Sequence, residues 1–431
     1  MAKKESWGNI GCSVNTCALT GAAAFFGGIP KAQIIANGPL WCYFYALRYL
    51  EKADPKIERR FQGTQPDNTS VVYGTEDCLL ETLGKLKESA NPSVLLIENS
   101  CSVSLIGDDI TGIARKADLP FPTVCFDSGG LIGGFSEGYK IAAKKFFEAI
   151  NLLKRDKIVA KSVNLLGCSL SYFNGENDLQ ELKNVLNMAG YEVFACPGAG
   201  STVEEIRTMT RAELNIVLHE ELGLDLARQL EKDYDMSYLS AGIPYGIDGT
   251  IKWLNRINEA LTTDLSHLIS FADKTRYMLN SRINDIKSTW GDLWFENAVV
   301  SASSSTAVFL AEALRSEWVD VDKLTVILQD NNSKEKSSEY IDCFLLASEG
   351  GTKIEEALDE LKNGLLMASS SEMAYIQRKK IENVLHCNIS YPVHDELLLT
   401  QEPFMGIRGS AHILQRLWNQ KMSMAMKNYG F

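Results

Sequence analysis

Three cysteines in the first quarter of the chain have the residue type and the setting for metal-thiolate chemistry. Cys17 opens the run CALTGAAAFFGG, Cys42 closes IIANGPLWC, and Cys101 stands inside NPSVLLIENSCSVSLIGDDI. Separations of 25 and 59 residues exclude the short-spaced ligand pairs of a structural zinc site and the tight cysteine run of a bacterial ferredoxin. Such thiols meet only through the tertiary fold. On spacing alone two readings stand: iron-sulfur ligands, or the small buried hydrophobes that free cysteines usually are. A cluster needs an apolar, largely dry pocket with hydrogen bonds to sulfur. Small residues from Ala18 to Gly28, the Gly38-Pro39 turn, and Ser100 and Ser102 beside the third thiol suit that need. Three thiolates leave a four-iron cluster one ligand short, so a fourth group must come from elsewhere, most simply a partner subunit.

Regular elements have to carry these thiols. Apolar runs of strand length alternate with longer segments of helical period, the pattern of parallel sheets with crossover helices. Strands are expected at Ser93 to Ile97, Thr123 to Phe126, Ser162 to Leu166, Glu192 to Ala195, Ala298 to Ser301 and Leu324 to Leu328. Leu179 to Ala189 reads as a helix stopped by Gly190, and Ser201-Thr-Val-Glu204 has capping-box spacing for the next. Residues 251–290 suggest a helical pair, and Gly409 to Met426 a closing helix with Ile413, Leu414, Leu417 and Trp418 on one face. A chain of 431 residues exceeds what one core usually organises, so two or three domains are expected, and an apolar content of 45% is ample to fill them.

The chain resembles the component 1 proteins of nitrogenase and their relatives, including dark-operative protochlorophyllide reductase and the nickel-sirohydrochlorin cyclase. The resemblance rests on the first cysteine with its Gly/Ala-rich sequel, the Asn37 to Cys42 turn, VVYGTEDCLLETL from Val71, Cys101 leading into LIGDDITGIA, and the closing YPVHDELLLTQEPFMGIRGSAHIL. It runs through most of the chain and is weakest between about 260 and 295. It implies an α/β fold of three Rossmann-like αβα domains with parallel sheets around a central cleft. Residues 1–150 would hold the cluster-binding cysteines and 151–290 the second domain with a helical connection. Residues 291–431 would form the third domain, with the C-terminal helix returning to the first. The resemblance also implies that Cys17, Cys42 and Cys101 are metal ligands, and that two homologous subunits jointly hold a 4Fe-4S or a P-cluster-like 8Fe-7S cluster. Both clusters take the same three cysteines from each subunit, so their size stays open.

A second metal cofactor is a further expectation. Glycine-containing turns follow strands at Asp127-Ser-Gly-Gly130, Gly167-Cys-Ser-Leu-Ser171 and Cys196-Pro-Gly-Ala-Gly200, with Cys125, Cys168 and Cys196 at or near the strand ends. Tight turns with core thiols are the commoner explanation for such positions. In nitrogenase one cysteine of the second domain and one histidine of the third hold the catalytic cofactor, and LNIVLHEELGLDL from Leu214 places His219 where that cysteine would be. His219 suits metal binding or proton transfer, or simple packing on an amphipathic helix. Tyr139 and Phe135 stand where the family has its histidine and glutamine beside the cofactor, which argues against a standard nitrogenase α subunit.

Other classes are poorly served. A net charge of −12 leaves no basic stripe for nucleic acid. MAKKESWGNIG lacks a following apolar h-region and no apolar stretch approaches membrane-spanning length, so a cytoplasmic, non-membrane chain is expected. Ten cysteines without a secretion signal argue for reduced thiols, and Cys12, Cys78, Cys343 and Cys387 read as buried hydrophobes. Glu76, Asp77, Asp108 and Asp109 stand near helix starts and read as capping groups. Asp108 and Asp109 are also close enough to Cys101 to sit at a docking edge. No GxxxxGKS/T loop and no GxSxG elbow occur, and the glycine turns are too irregular for a nicotinamide site. The expectation is one subunit of a two-component oxidoreductase. It would take low-potential electrons from an ATP-hydrolysing iron protein through an interface cluster and reduce an unassigned substrate in the cleft. The alternatives are a scaffold for metal-cofactor assembly and a noncatalytic β-type subunit that contributes cluster ligands alone.

Overall fold

The computed structural model describes residues 16–127, 132–330, 337–348 and 351–428. Cys12 and the Ser128-Gly129-Gly130 part of one glycine turn lie outside the described residues.

Thirteen strands among the described residues form three parallel sheets. The first contains β1 (Ala32–Asn37), β2 (Phe61–Gly63), β3 (Val94–Asn99) and β4 (Thr123–Asp127) in the order β2-β1-β3-β4. The second contains β5 (Val159–Leu166), β6 (Glu192–Ala195), β7 (Ala212–Val217) and β8 (Tyr238–Ser240) in the order β6-β5-β7-β8. The third contains β9 (Trp294–Ala302), β10 (Asp320–Leu328), β11 (Cys343–Leu346), β12 (Leu365–Ala368) and β13 (Leu385–Asn388) in the order β11-β10-β9-β12-β13. The α/β class and its parallel sheets are as the sequence implied. All six expected strands exist, and three of them, β5, β9 and β10, start several residues earlier than expected. Three without a counterpart in the sequence reading, β1, β7 and β12, are central in their sheets, short, and buried from end to end or nearly so. A central parallel strand covered on both faces has no alternation to betray it.

The chain forms two compact units. The first comprises residues 16–171 and 193–240 and carries the first two sheets, with β6 starting at its boundary. Inside it the helices Ala18–Gly27 and Phe135–Ala149 touch backbone to backbone. A Cβ on Gly21 would lie 1.9 Å from the Phe135 carbonyl oxygen, and one on Gly138 would lie 1.8 Å from that of Ala18. Phe25 packs edge-on against Tyr139 and Phe146 at ring separations of 5.2 and 5.5 Å. The Ala/Gly-rich run after Cys17 is therefore a close-packing surface.

The second unit comprises residues 172–192 and the chain from Ala241 onward, with the third sheet. The expected helical pair is Ile247–Ala260 and Ser266–Trp290. The closing helix, Gly406–Asn428, lies on this pair, on the helix Gly175–Met188 and on β13. Ile413, Leu414, Leu417 and Trp418 are buried as their common face required.

Two local expectations are corrected. The capping box is formed by Thr202 and Glu205, one residue beyond the Ser201/Glu204 register. Ser201 is engaged instead by the Cys196 backbone N–H at 2.9 Å. His219 is not on the helix face but is the N-cap of Glu220–Tyr234, and it is buried.

Candidate metal centre

Each of the three cysteines sits at the N-terminus of a helix. Cys17 is the N-cap of Ala18–Gly27, and its carbonyl accepts the Gly21 N–H at 3.3 Å. Its backbone also pairs with Gly134, next to the Ala18 N–H bond to the Gly133 carbonyl at 3.2 Å. Cys42 lies in the first turn of Leu40–Leu50, behind the N-cap Pro39. Cys101 is the first residue of Cys101–Ile106, with Ser100 as its N-cap.

The three thiols converge. Burial raises the Cys42 pKa, and the charges of Cys17 and Cys101 raise it further, while the Ser100 hydroxyl pulls it down by hydrogen bonding. Only groups in one neighbourhood couple in this way. Cys17 is exposed and Cys42 and Cys101 are half-buried, so the group opens on the surface of its unit. Large apolar side chains stand exposed around it: Trp41 at 62%, Tyr45 at 66%, Tyr73 at 86% and Leu105 at 77%. The helix Asn68–Tyr73 that carries Tyr73 lies against the helix that Cys101 begins. Exposed apolar side chains grouped in this way are the mark of an interaction surface.

Among the described residues, no three His, Cys, Asp or Glu side chains gather tightly enough for one metal ion. An iron-sulfur cluster sets a different requirement, because each thiolate binds its own iron and the ligands stand farther apart. Three convergent thiols at helix N-termini, with a hydroxyl donor beside one of them, fit that requirement.

The carboxylates near Cys101 have structural partners. Asp109 caps Ile110–Ala117 through the Gly112 N–H at 2.9 Å, and Asp108 accepts the Thr75 N–H at 2.5 Å and hydroxyl at 2.7 Å. Glu76 and Asp77 occupy the first turn of Glu76–Ser89, and Glu76 pairs with Lys116.

Cys168 and Cys196 are also brought together, beside the hydroxyl of Tyr139. The Tyr139 hydroxyl donates to the Cys168 carbonyl at 2.5 Å. Its pKa is raised first by burial and then by the charges of Cys168 and Cys196. The His219 carbonyl touches the Gly167 turn, where a Cβ would lie 2.5 Å from it, and the imidazole Nδ1 lies 3.6 Å from the buried Glu221 carboxylate. Cys125 is half-buried in β4, its thiol pushed up to about 12 chiefly by burial. Of the remaining cysteines, Cys387 is buried, and Cys78 and Cys343 are half-buried. The Cys78 thiol donates to the Thr64 carbonyl at 3.0 Å.

Sequence reasoning missed the polar cluster of Asn37, Thr64, Thr75 and Asn99 behind the cysteines. Its one legible signal was an asparagine directly before each of two small-residue turns, Asn37 before Gly38 and Asn99 before Ser100.

Comparison with known proteins identifies the family and the fold. A family model described as nitrogenase component 1 type oxidoreductase matches residues 17–422. A light-independent protochlorophyllide reductase subunit from Heliobacterium modesticaldum is 27% identical over 70% of this chain and 58% of its own length. The same reductase subunit from Leptolyngbya boryana is 24% identical over 88% of this chain and 76% of its own. The nitrogenase iron-molybdenum cofactor biosynthesis protein NifE from Clostridium pasteurianum is 26% identical over 58% of this chain and 54% of its own. The chain thus matches little more than half the length of two of these relatives. A solved structure of nitrogenase Cp1 at pH 6.5 superposes with a TM-score of 0.77 at 13% identity, covering 98% of this chain and 94% of that one.

Proposed function

This chain belongs to the nitrogenase component 1 type oxidoreductases, and from that premise we propose that it is one subunit of a nitrogenase-like two-component oxidoreductase. The observation that carries the proposal is the convergence of Cys17, Cys42 and Cys101 at three helix N-termini. In this reading the three thiolates hold an iron-sulfur cluster that a homologous component 1 subunit completes. When bound, the cluster supplies single-electron transfer at low potential. The chain's own residues hold the thiolates, donate a hydrogen bond toward Cys42 from Ser100, and present the apolar rim of Trp41, Tyr45, Tyr73 and Leu105. A partner seated on that rim would exclude water from the thiolates. ATP hydrolysis belongs to a separate iron protein, since this sequence has no phosphate-binding loop of the GxxxxGKS/T type. The division into residues 1–150, 151–290 and 291–431 is part of the same proposal, and it is supported by the confinement of each parallel sheet to one of these ranges.

A scaffold that assembles a metal cofactor is the second reading, favoured by the similarity to NifE. Turnover separates the two, because a scaffold releases a bound metal cluster once, whereas an enzyme consumes reductant continuously.

The test is iron and acid-labile sulfide content, with EPR, on anaerobically purified wild type and on C17S, C42S and C101S. Loss of cluster in all three variants is expected. An iron-free wild type copurified with its native partner overturns the electron-transfer reading.

A further inference from the structure

We infer that Asn37, Gly38 and Ser100 form a spacer that sets the separation of the Cys42 and Cys101 thiols. This rests on the reading of those thiols as cluster ligands and adds positioning residues to it.

The spacer begins in sheet register. Asn37 ends β1 and Asn99 ends β3, and the two are direct partners across the parallel pair. The Ser100 N–H continues the ladder to the Asn37 carbonyl at 2.9 Å. The next residues, Gly38 and Ser100, are pressed together: a Cβ on Gly38 would lie 2.2 Å from the Ser100 Oγ and 2.4 Å from its Cβ. Only glycine fits there, and any side chain would drive the two turns apart. Cys101 follows Ser100 directly, and Cys42 follows Gly38 after Pro39, Leu40 and Trp41. A displacement at this contact is therefore carried to both thiols.

The Asn37 side chain locks the arrangement from behind. It is fully buried, and its amide nitrogen donates to the Thr75 hydroxyl at 2.9 Å and to the Asn99 side-chain Oδ1 at 3.0 Å. The Asn37 Oδ1 accepts the Thr64 hydroxyl at 2.8 Å, and that hydroxyl oxygen accepts the Gly38 N–H at 3.1 Å. Asn99 in turn donates to Asp127 at 2.6 Å. A buried network in which each member's donors and acceptors are engaged specifies one geometry, because any slip leaves a desolvated polar group unpaired.

The experiment is a double-substitution cycle on the full chain, read by thermal melting and, after anaerobic reconstitution with iron and sulfide, by the EPR line shape and iron retained. G38A is expected to lower the melting temperature and to shift or broaden the EPR signal. S100G removes both atoms that the new methyl would strike and also the hydroxyl beside Cys42, so G38A/S100G should match the signal and the melt of S100G alone. T75V, which takes one partner from Asn37 and leaves every cysteine in place, should perturb the signal in a chain that still melts cooperatively. A folded G38A with the wild-type signal, or a G38A/S100G chain that is as far from S100G as G38A is from wild type, overturns the spacer. Failure of the cluster reading looks different: wild type would retain no iron, while the melting cycle would still report the Gly38-Ser100 contact.

Discussion

The carboxylate of Asp178 accepts the backbone N–H of Phe404 at 2.6 Å, a contact between residues 226 positions apart in the chain. It accepts the Met405 N–H as well, at 2.9 Å. One turn along the same helix, the buried Glu181 accepts the Arg408 Nε–H at 2.6 Å and its backbone N–H at 3.3 Å. Two acids three residues apart thus hold the start of the closing helix, where the helix dipole welcomes negative charge.

This arrangement predicts a pH dependence. Burial pushes the Asp178 carboxyl up to about 7, partly opposed by the two backbone donors and reinforced by the charge of Glu181. Its folded pKa exceeds its unfolded value, so its contribution to stability is complete below about pH 4 and is lost as the pH rises through about 7. Thermal melts between pH 5 and pH 8 should show wild type losing on the order of 1–4 kcal/mol from this group. D178N keeps an oxygen for both N–H donors and cannot ionise. Its melting temperature should fall less over that range, and an unchanged pH slope would remove Asp178 as the cause.

Trp41 is 62% exposed and packs within its own helix, against Phe44 and Tyr45 at ring separations of 5.9 and 6.0 Å. W41A should leave the melt of the isolated chain nearly unchanged. Binding of the proposed homologous partner, read by titration calorimetry, should weaken by about 1–3 kcal/mol, as truncation of an aromatic anchor does. Equal affinity for both chains would place the partner on another surface.

C168A and C196A test for a second metal site. Both thiols are buried beside the Tyr139 hydroxyl, and the expected cost is on the order of 1–2 kcal/mol of stability from lost packing. Iron per chain, measured by plasma emission, should match wild type in both. A matching fall in iron in the two variants would reveal a second cofactor there.

G28A should be among the most disruptive single substitutions in its unit. A Cβ at residue 28 would lie 1.8 Å from the Gly198 carbonyl oxygen, and the Gly28 carbonyl accepts the Gly200 N–H at 2.7 Å. Backbone meets backbone, so no side chain can swing aside, and a loss of at least about 2 kcal/mol is expected by denaturant titration. By contrast G84A, in open space, should be neutral or slightly stabilising.

Much of this protein was legible in its sequence. Alternating strand-length and helical segments determined the α/β class, and the cysteines in their small-residue settings, with the resemblance they carry, pointed to the candidate metal centre. Local signals resolved the helical pair and the buried face of the closing helix, because helix periodicity repeats within a few residues. The register of β1 against β3 was not legible, since strands buried on both faces carry no alternation to mark their edges. Nor was the burial of His219 or the Thr202 register of the capping box, where Ser201-Thr202 and Glu204-Glu205 offered two equivalent local choices. Tertiary structure made those decisions. Bringing Cys17, Cys42 and Cys101 into one neighbourhood, and pressing Gly38 against Ser100, depends on contacts between residues far apart in the chain, whose energies appear only once the sheet has formed.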